Sequence, residues 1–374
     1  MAYRILLVGG GTGGHVYPLV AVAEELKNLS AQRGDEIELR FMGEGRFLKE
    51  EAERLGLKCN VIFSPKWRRY FSFQNFLDIF KFPLGFFQTL FHIWLFMPDI
   101  IFAKGGYASF LPVLVGKIFM IPIVIHESDS IPGKTNTILG KLARRIFLSF
   151  EKSKNYFDGG KCEVVGNPIR QGLLTTVDET AALSAFNLNP TKPTVLVTGA
   201  SQGAQKINES IIVALVELIK KFQVIHQCGQ KNYDEMNKQI TSIIKEGEHS
   251  YGPQIQENYR LYPFLNLEQL TLAYAAADVV VCRASSQVFE IAAVGKPVIV
   301  IPLENAANNH QLSNALEFAK FGATVIEEVN LTPHILINEI DKAFENRTEL
   351  SKKIKQLSRS DAASKIAQYL LNPV

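Results

Sequence analysis

A histidine stands directly after a glycine-rich turn near the start of the chain. Residues 9–14 read Gly-Gly-Gly-Thr-Gly-Gly, and His15 precedes an apolar helical pattern over residues 16–29. Glycines let a ligand approach the backbone closely, and the N-terminus of a helix attracts an anion. Because histidine titrates near neutral pH, it can take a proton from a reacting hydroxyl. The turn therefore predicts a phosphate site with a general base at its mouth, although the same glycine spacing also occurs in dinucleotide-binding loops.

A second glycine turn, residues 199–204, follows the apolar run 194–198. Ser201 can add a hydroxyl donor to a phosphate oxygen, and Gln202 and Gly203 belong to the same turn. A purely structural turn is the alternative. Two such turns, one in each half of the chain, predict a ligand held between two domains.

Two polar segments follow later strands of the second half. Ser285, Ser286 and Gln287 lead into a predicted helix that carries Glu290, whose carboxylate can accept both hydroxyls of a ribose. A solvated helix glutamate is the alternative for that residue. Residues 304–314 are rich in amide side chains, including Gln311, and suit the hydroxyls of a sugar.

Strand and helix patterns alternate along the whole chain, which predicts parallel sheets covered by helices on both faces. The series breaks at residues 166–168, where Pro168 disfavours helical geometry in Asn167. We therefore predict two doubly wound domains that face a cleft. The predicted segments are an N-terminal domain at 1–166, a linker at 167–190, a second domain at 191–347 and a helical C-terminal segment at 348–374 that packs back on the first domain.

Composition limits the classes of function. The chain has 374 residues and a net charge of +3, but residues 1–166 hold 21 Lys and Arg against 16 Asp and Glu. That excess suits a phosphate-bearing ligand or an anionic surface and is too small to indicate nucleic acid. The four cysteines are far apart without a CxxC pair, which favours free thiols in a reducing compartment. Clustered His and Cys ligands are also missing from the sequence, so we expect no metal site.

Residues 61–97 contain 13 aromatic side chains beside several lysines and arginines. The apolar core of this segment, residues 84–97, is too short to span a membrane. It is either a helix half-buried on the sheet or a surface that enters the membrane interface. For the second interpretation the membrane residues are Trp67, Phe86, Phe87, Phe91 and Trp94.

Six short motifs follow one another along the chain. They are Gly10-Gly11-Thr12-Gly13-Gly14-His15-x-x-Pro18, Lys104-Gly105-Gly106-Tyr107, His126-Glu127-Ser128-Asp129, Gly166-Asn167-Pro168-Ile169-Arg170, Gly199-Ala200-Ser201-Gln202-Gly203-Ala204 and His310-Gln311-x-x-Asn314-Ala315. With these motifs the chain resembles the MurG family, bacterial enzymes that move N-acetylglucosamine from UDP to an undecaprenyl-linked muramoyl-peptide.

The resemblance implies an α/β protein of GT-B architecture, with two Rossmann-like domains facing a central cleft. It implies inverting transfer of N-acetylglucosamine that converts lipid I to lipid II in peptidoglycan synthesis, and thus a role in cell wall, shape and division. No metal and no cofactor are implied. The implied partners are UDP-N-acetylglucosamine, the undecaprenyl-linked muramoyl-pentapeptide and anionic inner-membrane lipids, with no nucleic acid. The implied location is peripheral, on the cytoplasmic face of the cell membrane.

Site roles follow from the matching positions. His15 corresponds to the histidine required for activity, with Glu127 or Asp129 as an orienting group. The donor site comprises Thr12, Gly13, Gly14, Arg170, Ser201, Gln202, Gly203, Leu265, Ser285, Ser286, Gln287, Glu290 and Gln311. Within it Arg170 and Ser201 match groups near the diphosphate, Leu265 a backbone contact to uracil, and Gln311 the contact to the sugar. The acceptor site comprises Gly13, Gly14, His15, Tyr107 and Asp129.

Two positions depart from the usual family pattern. Asp129 stands where many members have an amide, and Ser285 stands where a glycine is usual. Several other functions share parts of the pattern. A nicotinamide dehydrogenase would use the first loop but does not explain His15, and a UDP-sugar 2-epimerase would need no aromatic surface. Another UDP-sugar lipid transferase and a non-catalytic UDP-sugar-binding protein remain the alternatives.

Overall fold

The computed structural model describes residues 2–64, 73–199, 204–304 and 309–373, with the backbone alone for residues 73–81. The chain forms two compact units. The first unit comprises Met1–Arg170 together with Arg359–Val374, and the second comprises Gln171–Ser358. The chain therefore leaves the first unit after Arg170 and returns to it at Arg359.

A parallel sheet forms the centre of the first unit. Its strands are β1 (Tyr3–Gly10), β2 (Ile37–Glu44), β3 (Lys58–Val61), β4 (Ile100–Ala103), β5 (Ile123–Glu127), β6 (Arg145–Leu148) and β7 (Cys162–Val164). Among the described residues the strand order is β3-β2-β1-β4-β5-β6-β7, and all neighbours are parallel. Because the order reverses between β1 and β4, the loops after these two strands border the place where open α/β sheets bind ligands.

Helices cover both faces of this sheet. They are α1 (Gly13–Arg33), α2 (Arg46–Arg54), α3 (Phe73–Phe96), α4 (Phe110–Ile118) and α5 (Lys134–Leu142). Along β1, Ile5 and Leu7 pack on the side of α1, whereas Leu6 and Val8 pack on the side of α3 and α4. Burial on both faces explains why the strands read as continuous apolar runs rather than alternating ones.

The second unit repeats this plan. Its strands are β8 (Thr194–Thr198), β9 (Gln223–Gln227), β10 (Tyr259–Tyr262), β11 (Val279–Arg283), β12 (Val298–Ile301) and β13 (Thr324–Val325). They lie in the parallel order β10-β9-β8-β11-β12-β13 within the described residues, so the switch falls between β8 and β11. Its helices are α6 (Glu179–Ala185), α7 (Gln205–Lys221), α8 (Tyr233–Glu246), α9 (Gly252–Asn258), α10 (Leu267–Ala276), α11 (Gln287–Val294), α12 (His310–Ala319), α13 (Pro333–Glu345) and α14 (Arg347–Lys355).

The last helix, α15 (Ala362–Leu371), belongs to the core of the first unit. Its apolar face, including Ile366 and Leu370, packs in the same cluster as Leu19 and Leu26 of α1. The tail predicted as one helical stretch is thus two helices, α14 and α15. Arg359 lies between them, where its guanidinium donates to the carbonyl of Val164 and holds the turn.

Two helices differ in extent from the sequence prediction. The first, α1, starts at Gly13 and ends at Arg33, where Gly34 takes a left-handed conformation with φ of 73°. The aromatic helix α3 runs through Pro83 instead of starting after it. Across the described ranges, none of the helices is both long and apolar enough to cross a membrane.

Candidate active site

The first glycine turn begins where the ends of β1 and β2 leave no room for a Cβ atom. A Cβ at Gly10, whose φ is 145°, would lie 2.3 Å from the carbonyl oxygen of Glu44. A Cβ at Gly43 would lie 1.6 Å from the carbonyl oxygen of Gly9. Only glycine fits such contacts, so the strand ends themselves require part of the glycine run.

The rest of the turn forms the N-terminus of α1. Thr12 is the N-cap residue, and Gly13 and Gly14 begin the helix. The Thr12 hydroxyl oxygen lies 3.2 Å from Nδ1 of His15, a contact that ties the imidazole to the helix mouth. The predicted base therefore stands directly beside the predicted anion-binding helix end.

The His15 imidazole packs on the loop that follows β4. A Cβ at Gly106 would lie 2.9 Å from Cδ2 and 3.0 Å from Nε2 of the ring. Gly106 has φ of 75° and ψ of 168°, a conformation essentially limited to glycine. The hydroxyl of Tyr107, the next residue, lies 3.1 Å from the Cβ position of Gly11. The two loops at the switch point thus bring His15 and Tyr107 together against the glycine turn.

Glu127 holds the loop that follows β5. One carboxylate oxygen accepts the backbone N–H of Asp129 at 2.8 Å, and the other accepts the N–H of Gly133 at 3.2 Å and the amide of Asn136 at 2.9 Å. Burial and the charge of Asp129 raise the pKa of Glu127 to about 7, although Lys104 and these hydrogen bonds act in the opposite direction. Glu127 therefore changes its protonation near neutral pH while it anchors the loop.

Asp129 has its backbone fixed on both sides. Its N–H donates to Glu127, and its carbonyl accepts the hydroxyl of Ser153 at 2.8 Å. The residue itself is half-buried. A fixed backbone beneath a partly exposed carboxylate suits a contact with a ligand hydroxyl.

Lys104 belongs to one of the six motifs, but no role at the site was assigned to it from the sequence. It follows β4 directly, and only 2% of its surface is exposed. Burial lowers the pKa of its ammonium group to about 8, while the charges of Glu127 and Asp129 act to raise it. Lysine is almost never fully buried unless it is paired. The sequence feature that could have indicated a buried Lys104 is its position directly after an apolar strand and before two glycines.

Arg170 closes the first segment of the first unit. It is buried, and its guanidinium carbon lies 3.6 Å from the ring centroid of Tyr17 on α1, a cation–π contact. The turn before it is held by His126, whose Nε2 lies 2.9 Å from the carbonyl oxygen of Gly166. Burial and the nearby charge of Lys104 lower the pKa of His126 well below its ordinary value, so this imidazole is neutral at pH 7.

In the second unit, the loop after β11 is held from within by Gln287. The amide nitrogen of Gln287 lies 3.0 Å from the hydroxyl of Tyr274 and 3.4 Å from the hydroxyl of Thr198. The side chain therefore joins α11 to α10 and to the end of β8. This places Gln287 as a support of the predicted nucleotide loop, with its amide engaged inside the protein.

Three other predicted donor residues share the N-terminal turn of α11. Ser286 is the N-cap residue, and Glu290 lies in the first turn with 7% of its surface exposed. The hydroxyl of Ser285 is buried and has no hydrogen-bond partner within the described ranges. A carboxylate in the first turn is stabilised by the helix dipole, which accounts for an acidic residue at this depth.

Leu265 and Gln311 lie at two other loops of the second unit. Leu265 is buried between β10 and α10, directly before Asn266, which caps α10 by accepting the N–H of Gln269 at 2.8 Å. Gln311 lies in the first turn of α12 and accepts the N–H of Leu303 at 2.9 Å. The backbone near each predicted contact is thus fixed.

Some predicted residues lie outside the described residues, namely Ser201, Gln202 and Gly203 of the second glycine turn and Trp67 of the aromatic segment. Within the part of the chain that is described, no group of three or more His, Cys, Asp or Glu side chains is arranged to hold a metal ion.

The aromatic helix α3 presents two different faces. Phe87, Phe91 and Trp94 are 64%, 55% and 60% exposed, and with Leu90 and Phe119 they line an apolar cavity of about 350 Å³. Phe86, which we predicted to be a membrane residue, is half-buried and packs against the core cluster on this side of the sheet, and its ring meets that of Phe87 edge-on at a centroid distance of 5.7 Å. Gly85 allows this close packing, since a Cβ there would lie 2.0 Å from the carbonyl oxygen of Phe63.

The chain matches two family models and many full-length relatives. Residues 5–148 match the glycosyltransferase family 28 N-terminal domain, and residues 194–369 match the family 28 C-terminal domain. The chain is 33% identical to a Treponema denticola protein, covering 96% of this chain and 93% of the relative. It is 36% identical to a Legionella pneumophila protein, covering 99% and 97%. Both relatives are named UDP-N-acetylglucosamine–N-acetylmuramyl-(pentapeptide) pyrophosphoryl-undecaprenol N-acetylglucosamine transferase.

Solved structures agree on the fold. Acinetobacter baumannii MurG superposes with a TM-score of 0.71 at 23% identity, covering 99% of both chains. A Neisseria meningitidis UDP-GlcNAc 2-epimerase bound to UDP-GlcNAc superposes with a TM-score of 0.68 at 15% identity, covering 99% of this chain and all of the other. The predicted class, two doubly wound α/β domains of the GT-B type, is confirmed. Given near-complete coverage at more than 30% identity, the chain belongs to the MurG family of N-acetylglucosaminyltransferases, built from the two domains of glycosyltransferase family 28.

Proposed function

We propose that this chain transfers N-acetylglucosamine from UDP-N-acetylglucosamine to undecaprenyl-pyrophosphoryl N-acetylmuramyl-pentapeptide. The observation that carries the proposal is the position of His15, which is fixed at the N-terminus of α1 by Thr12 and packed on Gly106. A base at an anion-binding helix end suits a reaction between a hydroxyl and a phosphate-linked sugar. The names of full-length relatives support the same substrates.

In the proposed reaction His15 takes the proton of the acceptor hydroxyl. For Nε2 to receive this proton, Nδ1 must carry the ring hydrogen and donate it to the Thr12 hydroxyl oxygen, 3.2 Å away. The acceptor oxygen forms a bond to the anomeric carbon as the bond from that carbon to the UDP phosphate oxygen breaks, with inversion. UDP leaves with the bonding electron pair. A single displacement of this kind needs only positioning, a base and stabilisation of the leaving charge.

The leaving diphosphate gains negative charge, which the protein must stabilise. We assign this role to Arg170 and to the backbone N–H groups of the second glycine turn, residues 199–204, which precedes α7 in the sequence. Buried cations and helix N-termini stabilise phosphate without help from a metal ion. We therefore expect transfer to continue in the presence of EDTA, and loss of activity that Mg²⁺ restores would contradict this part of the proposal.

A direct transfer assay tests the function. Purified protein is mixed with UDP-N-acetylglucosamine and a short-chain lipid-linked muramoyl-pentapeptide, with His15→Ala alongside. We expect disaccharide-linked lipid from the wild type and at least a hundredfold slower formation from the variant, because general base catalysis typically contributes about 10²–10⁴-fold. UDP-sugar binding without transfer would indicate a binding protein, and conversion of the donor to its 2-epimer would indicate an epimerase.

The proposed acceptor is a membrane lipid, and we place the exposed face of α3 at the membrane. Its aromatic side chains, Phe87, Phe91 and Trp94, lie beside α4, and α4 lies beside α5. Lys117, Lys134 and Lys141 on these two helices are exposed and add positive charge near the apolar surface. Aromatic side chains next to lysines suit the interface of an anionic bilayer. We also propose that this binding is peripheral and on the cytoplasmic face, as the family resemblance implies.

Vesicle sedimentation tests the membrane surface. The variant Phe87→Ser/Phe91→Ser/Trp94→Ser should bind phosphatidylglycerol vesicles at least about tenfold more weakly than the wild type. Its affinity for UDP should not change. Val213→Ser is the matched control, because Val213 on α7 is 70% exposed but lies in the second unit. Equal vesicle binding by the triple variant and the control would contradict the assignment.

A further inference from the structure

The segment that leaves β12 is held by three side chains from three other elements. Arg283 at the end of β11 donates to the carbonyl oxygen of Ile301 at 3.3 Å. The carboxylate of Glu328, after β13, accepts the N–H of Glu304 at 3.0 Å. Gln311 accepts the N–H of Leu303 at 2.9 Å. Since residue 302 is proline and has no N–H, these bonds engage most of the polar backbone groups at this position.

Arg283 and Glu328 form a buried ion pair behind this segment. Nη2 of Arg283 lies 2.7 Å from a carboxylate oxygen of Glu328, and each residue is only 7% exposed. Burial raises the pKa of Glu328, but hydrogen bonds from Glu304 and Arg283 outweigh it, and the net pKa lies below the ordinary value. The pair is therefore charged at neutral pH. A buried ion pair adds little net stability over an apolar pair of the same size, so its use is in fixing one arrangement of the chain.

The network also reaches the helix that follows the second glycine turn. The side chain of Glu304 lies 3.5 Å from the ammonium group of Lys206, in the first turn of α7. Glu304 is thus connected through its backbone to Glu328 and through its side chain to α7. The ion pair consequently links β11, the segment after β12 and the start of α7. Predicted donor residues follow or precede these elements in the sequence, namely Ser285 after β11, Gln311 beyond β12 and residues 201–203 before α7.

The hydrogen bonds around the segment after β12 also determine which atom of the Gln311 amide can contact a ligand. Its carbonyl oxygen is used by Leu303. Its amide nitrogen has no hydrogen-bond partner among the residues that the structure describes, so it can donate to an oxygen of a ligand. Leu303 lies between Ile301 and Glu304, whose backbones are held by Arg283 and Glu328. The position of Gln311 therefore depends on the ion pair.

We propose that the buried Arg283–Glu328 pair is a positioning device for Gln311, which donates a hydrogen bond from its amide nitrogen to an oxygen of the donor sugar. The inference rests on the proposed function, because it takes a UDP-sugar as the ligand. Neither residue of the pair contacts the sugar itself. Their effect is on the affinity for the sugar portion, while affinity for UDP stays the same.

Glu328→Gln is the central test. Arg283 and Glu304 donate to different oxygens of the carboxylate, and an amide replaces one of these oxygens with an NH2 donor, so one of the two hydrogen bonds is lost in the present geometry. We expect KM for UDP-N-acetylglucosamine to rise about tenfold with kcat nearly unchanged, as for the loss of one well-placed hydrogen bond. Binding of UDP alone, measured by calorimetry, should not change. Lys221→Gln is the matched control, because Lys221 pairs with Asp341 at 2.7 Å on the surface of the same unit.

A double-mutant cycle separates positioning from a general effect on folding. If Glu328 acts through Gln311, the variant Glu328→Gln/Gln311→Ala should have the same KM as Gln311→Ala alone. Arg283→Lys, which keeps the positive charge but loses the forked geometry, gives a second and milder variant if Glu328→Gln does not fold. The inference would be overturned if the increases in KM of Glu328→Gln and Gln311→Ala multiplied in the double variant, or if KM were unchanged in both of these single variants. Wild-type protein that binds UDP but not UDP-N-acetylglucosamine would overturn the proposed function as well.

Discussion

Substitution of Gly106 by alanine tests the position of the proposed base without touching it. The new Cβ would lie 2.9 Å from Cδ2 of His15. Carbon atoms in contact normally stay about 3.5–4.0 Å apart, so the imidazole must move by about 0.5–1 Å. The backbone at Gly106, with φ of 75° and ψ of 168°, also disfavours alanine. That conformational strain costs about 1–3 kcal/mol of stability.

Gly45→Ala separates the two effects. Gly45 has φ of 101° and ψ of 146°, and the nearest atom to its Cβ position is the amide nitrogen of Gly11 at 4.0 Å. Both variants should therefore lose about 1–3 kcal/mol of unfolding free energy in urea titrations. Only Gly106→Ala should also lose about 100-fold in kcat/KM for transfer, because a misplacement of about 1 Å costs about that much.

The comparison is made at a temperature where both variants are fully folded by circular dichroism. Affinity for UDP serves as an internal control, since the second unit carries most of the predicted donor residues. If Gly106→Ala and Gly45→Ala retain the same kcat/KM, the contact between the loop after β4 and His15 has no catalytic role. The assignment of His15 as a positioned base would then be refuted.

Two predictions concern pH. Burial and Asp129 raise the pKa of Glu127 to about 7, whereas the charge of Lys104 lowers it, so Lys104→Met should raise this pKa further. The acidic limb of the kcat/KM profile should then move to higher pH, and it should move back when Asp129→Asn is added. Superimposable profiles of the variants and the wild type would contradict this prediction. Burial lowers the pKa of His226 from 6.5 to about 3, so the unfolded chain binds a proton that the native chain does not. The free energy of unfolding should therefore fall as pH drops below 6.5, by about 2 kcal/mol at pH 5 from this group. In urea titrations, the free energy of unfolding of His226→Gln should depend less on pH than that of the wild type. An equal pH dependence in the two proteins would refute the lowered pKa of His226.

The strands were predictable because they are buried on both faces. The runs that became β1 and β8 are continuously apolar and end in glycine turns, so both the element type and the place of the ligand loops could be read from the residues. The end of α1 could not be predicted from the sequence. The apolar pattern fades after Leu29, whereas the helix continues to Arg33 and is ended by the left-handed Gly34.

Contacts between distant residues account for most of what the sequence did not predict at the site. Gln287 meets Thr198 across 89 residues, and Arg283 meets Glu328 across 45. No local pattern marks either pair, because each depends on the order of strands in the sheet. The burial of Lys104 is similar, since a lysine beside glycines is ordinarily read as an exposed loop residue.

The return of the chain to its first unit has a consequence for synthesis. A ribosome completes residues 171–358, the whole second unit, before it makes α15. Until then, the apolar surface of the first unit that Ile366 and Leu370 later cover is open to water. The half of the molecule that is made first is therefore the last to close, and until then it keeps an exposed apolar surface of the kind that promotes aggregation.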